Sequence, residues 1–298
     1  MVEGQGDGVV SNDIRTMTAS DVTSAMELSV AANWNQTEED WRRVMQLSPH
    51  GCRCIEDAGR VVATASLLPY GTRLAWIGMV LTRPEYRRRG LAKRLMEDAI
   101  ASAERGGIRT LKLDATDEGR PLYESLGFVV EQTVERWGSN GRVSSVAKEV
   151  AAPGRIIALD SSQSSKISGD LLARDEEAFG ASRCKLLGTL SASGTCRIGA
   201  KGYSLSRPGR TTRHLGPCVA SSEEEGRPLI AAQLEGARHT DDAPGKWYWD
   251  LLPMNEAAVR CATEFGFTRR RTLWRMQRGE SIRTNDAMVY AIAGFELG

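Results

Sequence analysis

The stretch MVLTRPEYRRRGLAKRLM, Met79 to Met96, reads as a β-strand that passes through a tight basic turn directly into a helix. A further strand is predicted at Ile108 to Ala115, so the segment is a strand–crossover helix–strand unit that sets two parallel strands in one sheet. The helical stripe Leu91, Ala92, Leu95, Met96, Ala99, Ile100 and Ala103 recurs at helical period and must pack on that sheet. The turn also narrows the ligand. A helix start offers unpaired N–H donors and a partial positive charge. Arg87, Arg88 and Arg89 add guanidinium groups suited to a pyrophosphate, while Gly90 and Ala92 keep the backbone uncluttered. Neither a Walker loop nor the dinucleotide glycine fingerprint occurs here. A phosphorylated carrier of another kind is expected.

The 298 residues carry 39 basic and 38 acidic side chains, a length ample for two domains with real cores. Near-zero net charge argues against a nucleic-acid partner. No run of about eighteen apolar residues occurs, so no membrane span is expected. The start, MVEGQGDGVVSND, lacks a basic region followed by an apolar core, so a secretory signal is not expected and a cytoplasmic location is. Six scattered cysteines fit reduced thiols. Cys52 and Cys54 form a C-x-C pair with no second pair at zinc spacing, so no metal is expected.

Residues 1–12 are expected to form a disordered tail. Ile14 to Met17 reads as a short strand, Thr18 and Asp21 as a capping box opening a helix to about Ala32, and Thr37 with Asp40 as a second such box. Cys52 to Ile55, Val61 to Leu68 and Ala75 to Thr82 read as successive strands. Small and polar residues at 149–164 separate a first domain, 13–148, from a second, 165–298.

The turn matches R-x-x-G-x-A as Arg87, Gly90 and Ala92, preceded by Pro84, Glu85 and Tyr86. LYESLGF follows at Leu122 to Phe128. In this order and spacing the two motifs resemble the acyl-CoA loop and second hallmark of the GNAT N-acetyltransferase superfamily, although Thr82 stands where valine is usual. The resemblance covers roughly residues 13–140. It implies an α/β (α+β) fold, with a mixed, mostly antiparallel sheet opened into a V and flanked by helices. It also implies acetyl-CoA as co-substrate and a primary amine, on a small molecule, as acceptor. A longer acyl donor, a protein amine as acceptor, and a CoA-binding module without turnover are the alternatives.

Carried onto this sequence, the resemblance gives the carrier grip to Arg87, Arg88, Arg89, Gly90, Leu91, Ala92 and Lys93. Backbone groups of Val80, Leu81 and Thr82 would meet pantetheine, with the Val80 N–H as oxyanion donor. Tyr123 would be the general acid, or else a helix tyrosine half buried against the sheet. The base is less determined, because LAWIGMVLT carries no carboxylate. Asp114 on the next strand would relay a proton through water, or serve as a structural carboxylate; ordered water or the second half are the other sources. Trp34 and Asn35, between the first two helices, would wall the acceptor, or Trp34 would pack as a core lid. Oligomeric state stays open, a homodimer included.

The second half echoes the first. EFGFTRRRTLWRM matches SLGFVVEQTVERW, pairing Gly127 and Phe128 with Gly266 and Phe267, Thr133 with Thr272, and Arg136 with Arg275. A diverged duplication is expected, though length and linker alone also permit an unrelated domain. Ser221 to Glu225 replaces the arginine turn, with Pro228 as the expected first helical residue, and Ala262 replaces Tyr123. The copy is therefore expected to be degenerate and structural.

Overall fold

The computed structural model describes residues 13–139, 156–159, 167–236 and 245–298. The expected tail and most of the expected linker lie outside the described residues; within that linker Ile157–Leu159 form a strand. The first half runs β1 (Ile14–Thr16), α1 (Val22–Ala31), α2 (Glu38–Leu47), β2 (Cys52–Asp57), β3 (Arg60–Tyr70), β4 (Leu74–Thr82), α3 (Leu91–Arg105), β5 (Thr110–Ala115), α4 (Arg120–Ser125) and β6 (Val129–Ser139). After β7 (Ile157–Leu159) the second half runs α5 (Gly169–Phe179), α6 (Cys184–Ser193), β8 (Thr195–Ile198), β9 (Gly202–Arg207), β10 (Arg213–Ala220) and α7 (Glu223–Gly236). It closes with β11 (Trp247–Leu251), α8 (Glu256–Glu264), β12 (Thr268–Gly279) and β13 (Val289–Ala291).

Both predicted capping boxes form, at Thr18/Asp21 and Thr37/Asp40. The apolar stripe of α3 is buried as its period requires, with Leu95 and Met96 fully covered. The strands make one mixed, mostly antiparallel sheet in the order β1-β2-β3-β4-β5-β12-β6-β11-β10-β9-β8-β7, with β13 on β10. Among the described residues only β4–β5 and β10–β11 pair in parallel.

That order contains an exchange. β12, from the second half, inserts between β5 and β6 of the first. β6 in turn lies between β12 and the second half's β11. The echoed segments are thus equivalent strands that have traded places. Their approaches are alike: Phe128 N donates to Tyr123 O at 3.0 Å and Phe267 N to Ala262 O at 2.9 Å, after glycines at φ +84° and +85°. Two ion pairs repeat the symmetry. Arg275 on β12 grips Asp114 on β5, and Arg136 on β6 grips Asp250 on β11, each by two hydrogen bonds.

One boundary differs from expectation. α7 begins at Glu223, so Pro228 lies inside the helix rather than at its start. Three glutamates in the first turn favour the earlier start, because carboxylates complement the helix N-terminal dipole.

Candidate active site

β4 and β5 stay in register only from Leu74/Thr110 to Trp76/Lys112, then diverge. At the divergence β4 bulges. Its register with β3 shifts between Gly78 and Leu81, Met79 adopts φ +50°, and Thr64 Oγ1 donates to Met79 O at 2.8 Å. A left-handed methionine is a costly conformation that surroundings must enforce. Its result is that Met79 and Val80 have no register partner on either neighbouring strand. Leu81 and Thr82 return to register with Thr64 and Ala63 on β3, while their β5-side edge stays unpaired.

At the end of β4 the basic turn meets α3. Arg88 and Gly90 both take left-handed φ, +63° and +79°, and a side chain at Gly90 would project into open space. Glycine is needed there for its backbone, not for room. Gly90 caps the helix without any side-chain acceptor, and the first turn carries no acid. Arg87, Arg88, Arg89 and Gly90 are exposed, Ala92 is half-buried, and Leu91 is buried as the anchor. Arg89 lies over the Tyr86 ring at 5.0 Å, and Lys93 is 3.9 Å from Glu97. Unpaired amides, three exposed guanidinium groups and no competing carboxylate at the helix start fit a pyrophosphate.

The V opens onto a cleft lined on one side by Ile77–Val80, Leu113, Asp114, Thr116 and Tyr123. Its other side is Trp34 and Gln36 with Arg271, Leu273, Phe295 and Glu296 of the second half. Tyr123 packs its ring edge-on to Phe128, 6.3 Å between centroids. Burial pushes its phenol up to about 12. The hydroxyl has no hydrogen-bond partner among the described residues, so it is available to whatever enters the cleft.

Two other expected residues are engaged elsewhere. Asp114 accepts from Arg275 Nε at 2.9 Å and Nη2 at 3.0 Å, with its side chain fully buried. Burial raises its carboxyl above the usual range, with Arg275 opposing. A carboxylate held by both arms of a guanidinium positions β5 against β12. Asn35 is also spent. Its Nδ2 donates to Thr212 O at 2.7 Å, and its Oδ1 accepts from Thr211 N, Thr211 Oγ1 and Thr212 N at 3.0–3.1 Å. It ties the first half to the β9–β10 loop instead of facing an acceptor. Trp34 does line the cleft.

Glu296 was not singled out in the sequence. It is buried, and it accepts from Gln36 Nε2 at 3.0 Å and from Arg207 Nη2 at 3.1 Å. Burial raises its carboxyl, and Arg207 opposes. The chain reaches this point because β4 carries glycine there: a Cβ on Gly78 would lie 2.7 Å from Glu296 O and 2.9 Å from its Cα. Trp76 Nε1 fixes the same segment by donating to Phe295 O at 2.8 Å. A glycine inside a strand signals such close approach. Gly78→Ala should therefore displace Phe295 and Glu296 and lower turnover at least tenfold. Overpacking of this kind costs about 1–3 kcal/mol, which chemical denaturation checks; affinity for the carrier at the distant turn should not change.

The second half's equivalent opening is filled. β10 and β11 hold register from Arg213/Trp247 to Leu215/Trp249 and then part. β13 lies in that gap, paired with β10 at Cys218 and Val219, while Ile292 N donates to Asp250 O of β11 at 2.9 Å. Tyr290 packs under Gly226 in the first turn of α7, where a Cβ would come within 2.8 Å of the ring.

Burial raises the Cys52 and Cys54 thiols to about 12 and about 11. Among the described residues no group of three His, Cys, Asp or Glu side chains could hold a metal ion, and no helix is long and apolar enough to cross a membrane.

Two halves of like topology within one sheet, each opened into a V and joined by exchanged strands, place the molecule among tandem acyltransferase folds. Residues 20–128 match the acetyltransferase (GNAT) family and 171–291 an acetyltransferase (GNAT) domain; the chain belongs to the GNAT acetyltransferases as a tandem member. It is 32% identical over 184 residues to "Uncharacterized N-acetyltransferase YitH" of Bacillus subtilis, a match spanning 59% of this chain and 60% of that protein. It is 24% identical to holothin acyltransferase of a Pseudoalteromonas species over 91% of this chain and 90% of that one. A Pyrococcus horikoshii crystal structure superposes over the full length of both chains with a TM-score of 0.82 at 19% identity.

Proposed function

We propose that the first half transfers an acetyl group from acetyl-CoA directly to the primary amine of a small acceptor, within a ternary complex. The observation that carries this reading is the V between β4 and β5 beside an uncapped, arginine-rich helix start, a combination absent from the described residues of the second half. Amides of the turn and Arg88 and Arg89 hold the pyrophosphate, and the free β4 edge holds the pantetheine arm. When bound, acetyl-CoA supplies the activated acyl group. The amine nitrogen bonds to the acyl carbon as the carbon–sulfur bond breaks. Val80 N–H, outside the ladder, steadies the charge growing on the acyl oxygen, a contribution of about 3 kcal/mol. Tyr123 gives its hydroxyl proton to the departing sulfur. A second reading keeps this chemistry with a longer acyl donor; the near full-length alignment with holothin acyltransferase favours it.

Isothermal titration is expected to show one equivalent of acetyl-CoA bound at micromolar affinity. Two equivalents would mean that the second half also binds, against the plug of β13; none would overturn the reading. Tyr123→Phe should lower kcat by about 10²–10³ with CoA affinity retained, in line with general acid catalysis. Unchanged turnover removes Tyr123 from the mechanism. Because the phenol titrates at about 12, the acid stays protonated through the neutral range. The rate should climb with pH as the acceptor ammonium loses its proton, without a falling limb from Tyr123 below about pH 10. A falling limb near pH 9 that vanishes in Tyr123→Phe would keep Tyr123 as the acid and contradict the raised phenol.

A further inference from the structure

We propose that the acceptor is an amino-acid-like zwitterion, its amine received by Glu296 and its carboxylate by Arg271. The proposal rests on the acetyltransferase reading and names its acceptor class. The cleft has a donor wall, built by β4, β5 and Tyr123, and an acceptor wall on which the second half places Arg271, Leu273, Phe295 and Glu296. That acceptor wall carries one carboxylate and one guanidinium, and the two are held differently.

Glu296 is held in a fixed orientation. Gln36 and Arg207 each donate to one of its oxygens, and Arg207 is itself shared with Asp40 Oδ1 at 3.2 Å and Ala293 O at 2.8 Å. Each carboxylate oxygen keeps further acceptor capacity. An ammonium entering the cleft meets an oriented anion, and burial gives that anion the raised proton affinity a base needs. The ammonium gives up one proton to solvent before attack, so the nucleophile is the neutral amine. As the carbon–nitrogen bond forms and the carbon–sulfur bond breaks, the second nitrogen proton goes to a Glu296 oxygen and Tyr123 gives its proton to sulfur; Glu296 then returns a proton to the Tyr123 phenolate through solvent, which restores both groups.

Arg271 is the complementary group. β12 carries five arginines. Arg269 pairs with Glu135, Arg275 with Asp114 and Arg278 with Glu104. Arg271 has neither a hydrogen bond nor an ion pair among the described residues. Its guanidinium lies 5.1 Å over the ring of Phe295, which Arg136 flanks at 4.6 Å. The residue that supports the cation is therefore the chain neighbour of the carboxylate. A stacked guanidinium keeps its in-plane donors for a bidentate carboxylate. A simple amine would use Glu296 and leave Arg271 idle; an amino acid uses both.

The test is acetyl-CoA-dependent thiol release by the full chain, with L-phenylalanine against phenethylamine, L-leucine against isopentylamine, and the remaining amino acids as a panel. At least one amino acid should be N-acetylated, and should exceed its carboxylate-free partner by tenfold or more in kcat/KM. Arg271→Gln should raise KM for that amino acid about tenfold and erase the preference, while Glu296→Gln should lower kcat about a hundredfold, both with acetyl-CoA affinity kept. Equal or better use of the carboxylate-free amines, a preference unmoved by Arg271→Gln, or no amino acid acetylated by protein that binds acetyl-CoA would each overturn the proposal. Absence of acetyl-CoA binding in titration would strike the acetyltransferase reading itself, and this proposal with it.

Discussion

A chain ended after residue 160 is expected to yield no folded first half. The cut removes β12, which pairs with β5 along Thr110–Ala115 and with β6 along Val129–Gly138. β5 and β6 would lose their shared neighbour and present bare edges, a recognised route to aggregation. Asp114 would lose Arg275, and stranding one member of a buried ion pair costs about 3–5 kcal/mol. That alone approaches the whole stability of a marginal domain, about 5–15 kcal/mol. Tyr70 and Trp76 would lose the carbonyls of Leu297 and Phe295 that accept their protons. Size-exclusion chromatography and near-UV circular dichroism should show soluble aggregate or an unpacked chain. Supplying residues 165–298 as a second polypeptide should restore a compact complex. A monodisperse fragment that unfolds cooperatively and turns over acetyl-CoA would show that the exchange is dispensable.

Reversing the charge of the turn, Arg88→Glu with Arg89→Glu, should weaken acetyl-CoA binding by at least a hundredfold. Both side chains are exposed, so the fold loses little; surface changes of this kind usually stay within about 0.5 kcal/mol. The ligand, by contrast, would meet two carboxylates at amides positioned for a pyrophosphate. The native protein should bind more weakly as salt rises, because exposed charges are screened, and the variant should lose that dependence. Titration at two ionic strengths decides the matter. Affinity that survives the substitution would place the phosphates elsewhere.

Much of this was legible in the sequence. The basic turn declares itself through local chemistry, so the strand, the turn and α3 stand where residues Met79 to Met96 imply. The echo between β6 and β12 was equally visible. That these strands change places was not, because alternation and period state that a strand needs neighbours without naming which half supplies them. The site splits along the same line. Val80 and Tyr123 belong to motifs, and the structure sets them on one cleft. Asp114 and Asn35 carry chemistry that pattern alone cannot tell from structural duty, since the groups that occupy them lie far along the chain. Arg275 is 161 residues from Asp114, and Thr211 is 176 from Asn35. Glu296 had one usable signal, the glycine inside LAWIGMVLT, where a strand gives up a side chain only to let something approach. The early start of α7 also had one: Ser222 and Glu225 are spaced as a capping box, which outweighs a proline five residues further on.

The exchanged strands also set the order in which the protein can be made. On a ribosome, β5 and β6 emerge long before β12. At ordinary rates of synthesis the wait is on the order of ten seconds. Through that interval the β5 edge beside the future cleft has no partner, and Asp114 has no counter-charge. The first half is completed only by residues 268–279 of the second. Nascent chains of this protein therefore present an open sheet to any chaperone or passing strand until β12 has emerged.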